Sequence, residues 1–81
     1  MNKKQIGQEW KKLKFELFEN RPKIDGPYPQ NIVKRREFLL FAQVHLNNIL
    51  DAKLKKDIWN ERFETEMYNK TMEIYYSWDK K

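Results

Sequence analysis

Cysteine is missing from this 81-residue chain, histidine occurs once, glycine twice, and all three prolines fall between positions 22 and 29. Without cysteine there can be no disulfide, no thiolate metal site and no cysteine nucleophile. The same lack fits a reducing compartment, and a cytoplasmic location is expected. The one histidine, His45, sits inside the apolar run Phe38–Leu46, where a hydrogen-bonded core residue is expected rather than a general base. Glu61, Glu64 and Glu66 have no second carboxylate cluster to face, and no Glu-x-x-His occurs, so no metal site is expected. There is no phosphate-cradling glycine loop, and Ser77 has no histidine near it in sequence. The expectation is a non-enzymatic protein with no cofactor and no small-molecule substrate.

Long hydrophobic runs are lacking as well. Phe38–Leu46 is far short of the roughly 20 apolar residues that span a bilayer. The segment after Met1-Asn2-Lys3-Lys4 carries Glu9, Lys11, Lys12 and Lys14 instead of an apolar leader core. Neither a secretory leader nor a membrane span is expected.

What the chain does contain is aromatic weight: Trp10, Trp59, Trp78, five phenylalanines and four tyrosines. Each aromatic side chain buries roughly 150–250 Å², so few are needed to build a core. That matters because a chain of this length, read as one domain over residues 1–81, buries only about 60–65% of its unfolded surface. Pairing with a second chain is a common remedy. Thirteen lysines against four arginines, with seven asparagines and two alanines, fit an AT-rich genome such as that of a phage or other mobile element.

Pro22-Lys-Ile-Asp-Gly-Pro-Tyr-Pro29 is the one secure break, because Asp25-Gly26-Pro27 favours a turn and residues before proline avoid helical geometry. Ahead of it Ile6, Trp10, Leu13 and Leu17 recur at helical spacing. Behind it Asn31 is placed to cap a helix in which Phe38–Leu46 is apolar on nearly every side, the mark of a central helix with neighbours on two flanks. That helix ends either at Asn47-Asn48 or, preferably, at Lys56-Asp57, where the lysines suit a C-terminus and the aspartate an N-terminus. The expected architecture is all-α: a three-helix bundle, or a long helical hairpin with a docked N-terminal helix. Its helices cover about 3–19, 31–56 and 57–78, with a proline-rich loop at 21–30.

Three features bear on function. The last helix carries two apolar stripes, Trp59/Phe63/Met67/Ile74/Trp78 and Ile58/Tyr68/Met72/Tyr75/Tyr76, and both cannot easily face one small core. One reading is a wide buried face with the tyrosine hydroxyls reaching water. The sharper reading makes Tyr68, Met72, Tyr75 and Tyr76, with Trp78, a protein interface, most simply a homodimer. Phe15 points away from the core stripe of the first helix, among lysines, where Ile24 and Tyr28 of the loop are expected to cover it. Charge is uneven: residues 1–40 carry ten Lys/Arg and five Asp/Glu (+5), whereas residues 41–81 carry seven of each. Lys34-Arg35-Arg36 at the start of the second helix opposes its macrodipole. These residues are expected to pair with Glu61, Glu64 or Glu66 or to be simply solvated; alternatively they join Lys11 and Lys14 in contacting nucleic-acid phosphates through residues 3–36. An acidic last helix and glycine-free turns argue against helix-turn-helix reading of DNA. The functional expectation is a regulatory or accessory protein that binds another protein or itself, with nucleic-acid binding as the alternative.

Overall fold

The structure, a computed structural model, describes residues 1–21 and 30–78 and is all-helical, with α1 (Lys3–Glu19), α2 (Gln30–Leu54) and α3 (Ile58–Ser77). Almost all of the expected 21–30 loop lies outside the described residues, as do Ile24 and Tyr28.

Each helix end has a local cause. Asn2 caps α1: its side chain accepts from the Gln5 backbone N–H at 2.8 Å, and Gln5 Oε1 accepts from the Asn2 N–H at 2.8 Å. The second helix begins at Gln30, one residue before the expected cap, so Asn31 lies inside its first turn. It runs straight through Asn47-Asn48 and stops at Leu54, two residues before the expected end at Lys56. There Asp57 donates its N–H to Ala52 O at 2.8 Å and Lys56 to Lys53 O at 3.2 Å, the paired bonds of a Schellman ending. Lys56 takes the left-handed position of that motif (φ 57°), which glycine would fill at less steric cost. Asp57 then caps α3 by accepting from the Asn60 N–H at 3.1 Å.

The core comprises Ile6 and Leu13 of α1, Leu39, Ala42, Leu46 and Ile49 of α2, and Tyr68, Met72 and Tyr75 of α3. Trp10 and Leu17 pack against it, completing the stripe read on α1. The middle helix is central as expected, flanked by α1 and α3. It is not covered all round, since Leu40, Phe41 and Val44 remain exposed.

The first helix runs antiparallel to α2 and parallel to α3. Its C-terminal carbonyls of Leu17 and Asn20 meet Arg36 near the start of α2. Against α3 it forms two equivalent rungs: Tyr68 donates to Glu9 and Tyr75 to Glu16, seven residues further along both helices. The molecule is a slab of 45 × 22 × 16 Å, with α1 laid along one side of the α2–α3 hairpin.

Candidate functional site

Of the residues expected at a protein interface, three are inside. Tyr68, Met72 and Tyr75 are 1%, 6% and 0% exposed, packed against this chain's own α1 and α2. Placing them on the surface is therefore corrected. So is the expectation that the tyrosine hydroxyls reach water, because α1 supplies Glu9 and Glu16 as their acceptors. Burial, reinforced by those two carboxylates, pushes both phenols above the usual tyrosine range. Tyr76 and Trp78 stay partly exposed. Lys12 Nζ sits 5.0 Å over the Tyr76 ring, and Trp78 meets Phe38 edge-on at 5.4 Å.

Helical geometry leaves the other stripe outside. With Tyr68 and Tyr75 turned inward, Trp59, Phe63, Ile74 and half-buried Met67 lie on the flank of α3 away from α1. Trp59 is 73% exposed, Phe63 47% and Ile74 46%. The Trp59 and Phe63 rings stack with 3° between their planes and 5.8 Å between centroids, so this end of the stripe is ordered by its own contacts. The second helix widens the patch. Phe38 and His45 both touch α3, and Phe41 lies between them at helical spacing, exposed, with Val44 one turn on. The open side of the hairpin is thus largely apolar, with exposed Lys70 between Phe63 and Ile74.

Charges around this face are internally balanced. His45 Nδ1 lies 2.6 Å from Glu64, Lys53 Nζ 2.7 Å from Glu61, and Lys70 Nζ 3.6 Å from Glu66. The Lys53 ammonium holds the Glu61 carboxyl below its usual range. His45 is satisfied, as expected, but at the edge of the helix seam instead of deep within it.

The residues expected to contact phosphate divide. Arg36 donates to Leu17 O at 3.1 Å and to Asn20 O at 3.3 Å, answering the C-terminal carbonyls of α1. Arg35 spans Asn20 Oδ1 (3.0 Å), the Tyr75 hydroxyl (3.1 Å) and Trp78 O (3.3 Å), with its guanidinium over the Tyr75 ring. Both arginines thus clamp helix ends, which explains their unfavourable position on α2's own dipole. Lys34 pairs with Glu37 at 3.4 Å. The expected pairing of this basic triplet with Glu61, Glu64 or Glu66 is corrected: those carboxylates answer Lys53, His45 and Lys70. Lys11 and Lys14 remain exposed on the outer side of α1, beside exposed Phe15 and Phe18.

No helix among the described residues is long and apolar enough to cross a membrane. Comparison with protein-family models, curated proteins and solved structures finds no match.

The open stripe was visible in the sequence but was ranked second there. A discriminating clue was present: Tyr68 and Tyr75 are seven apart, and so are Glu9 and Glu16. Buried phenols need acceptors, and two acids in matching register on a parallel helix supply them.

Proposed function

We propose that the protein is a non-catalytic helical binding protein, a regulatory or accessory factor that works through protein–protein contacts on the open side of the α2–α3 hairpin. The observation that carries this reading is the exposed run Trp59, Phe63, Ile74, Phe41 and Val44. In so small a domain, several large apolar side chains exposed on one face mark an interaction site. Tryptophan and phenylalanine at its centre are the residue types that anchor interfaces. Affinity capture from the native host, followed by mass spectrometry, tests it. The reading expects proteins that survive nuclease treatment and are lost with Phe63→Glu. Capture indifferent to Phe63→Glu would sink it.

A second reading rests on the outer side of α1, where Lys11 and Lys14 stand beside exposed Phe15 and Phe18. Cations interleaved with aromatics suit single-stranded nucleic acid. Without Arg35 and Arg36 the surface is weaker than the sequence implied. It calls for binding that falls steeply with salt and disappears with Lys11→Glu/Lys14→Glu.

A further inference from the structure

We infer that the partner of this face is a second copy of the same chain, paired through antiparallel α3 helices about a two-fold axis near residues 68 and 69. The inference rests on the proposed binding role of the face and names its occupant.

The outward stripe of α3, continued by Trp78 at its C-cap, is Trp59, Phe63, Met67, Lys70, Ile74 and Trp78, with successive spacings of four, four, three, four and four. That series reads the same in both directions. Laid antiparallel on its own copy, it sets Trp59 opposite Trp78, Phe63 opposite Ile74 and Met67 opposite Lys70. A two-fold interface needs such self-complementarity, since each patch must meet itself reversed.

Charge agrees with shape. The only charged member of the stripe, Lys70, has an exposed side chain and lies loosely, at 3.6 Å, against Glu66 of its own helix. In the antiparallel register Glu66 falls one position from Lys70 of the other copy, opposite Thr71, which brings the two side chains within reach so that two intermolecular pairs form across the axis. The molecule's +5 excess arises within residues 1–40, and α1, on the other side of the hairpin, carries five lysines against three glutamates. Two copies can meet through α3 with their α1 helices held apart. A strongly charged partner finds no matching excess on this face.

Area also suffices. Trp59, Phe63, Phe41 and Trp78, with Ile74 and Val44, expose several hundred Å², comparable to the roughly 800 Å² each partner gives a standard interface. A small, disulfide-free domain is the kind that gains from pairing.

Sedimentation of the full chain over a concentration series tests the pairing. The wild type should dimerise, and Phe63→Glu should raise the dissociation constant by about tenfold or more while helical circular dichroism is retained. Lys70→Glu should weaken the dimer, and Glu66→Lys/Lys70→Glu should restore it. Since the chain has no cysteine, register is read directly. Phe63→Cys and Ile74→Cys chains, mixed and oxidised, should cross-link to each other and only weakly to themselves. Equal self-linking would overturn the antiparallel register. A wild type that stays monomeric at the highest concentration would overturn the pairing. It would leave the binding role standing where capture still depends on Phe63, whereas a dimer with capture indifferent to Phe63 would remove that role alone.

Discussion

Two residues sit where the local backbone favours another side chain. Lys56 holds a left-handed conformation at the α2–α3 turn, and Gly7 occupies the interior of α1 with nothing within 4 Å of where a Cβ would stand. Lys56→Gly should stabilise the fold by about 1 kcal/mol through relief of the left-handed strain. Gly7→Ala should add up to about 1 kcal/mol by limiting the unfolded chain and favouring helix. Urea titration of both variants checks these gains, which should add because the sites share no contacts. The glycine's weakness was plain in the sequence, since helix propensity is a local property. The cost at Lys56 was not: that lysine was expected in a last helical turn, and only the Schellman bonds to Ala52 and Lys53 require positive φ there. Arg35 and Arg36 illustrate the same limit. Their chemistry was legible, but which carbonyls and hydroxyls they would meet depended on how α1 and α3 end beside them.

Helix boundaries were largely legible because caps, apolar spacing and the proline cluster all act locally. Which side of α3 turns inward was not, because both stripes have helical periodicity and similar apolar content. That choice depends on α1 being parallel to α3 and in register, so that Glu9 and Glu16 meet Tyr68 and Tyr75. A pH dependence follows. Both phenols have folded pKa values above the ordinary 10.0, so their share of stability is complete below about pH 10. It is lost progressively as pH rises past that value, because the unfolded chain releases those two protons first. Phenolate absorbance from Tyr68 and Tyr75 should therefore appear together with loss of helical circular dichroism. Ionisation of all four tyrosines while the fold stays intact would contradict the buried rungs.

At the scale of the whole molecule, the two sides of the α2–α3 hairpin differ. The first helix closes one side of the hairpin with tyrosine–glutamate rungs and arginine-clamped helix ends, and the other side keeps its aromatics in solvent. The sidedness of α3 underlies both the proposed binding face and the self-pairing. Thermal unfolding of Phe63→Glu and Tyr75→Glu, at concentrations dilute enough to keep the chain monomeric, tests it most directly. Phe63→Glu should change stability by no more than about 0.5 kcal/mol, as an exposed substitution does. Tyr75→Glu should cost more than about 3 kcal/mol or abolish folding, because it buries a carboxylate beside Glu16. A cooperative, near-wild-type melt for Tyr75→Glu, with collapse of Phe63→Glu, would reverse the two sides of α3 and contradict the account.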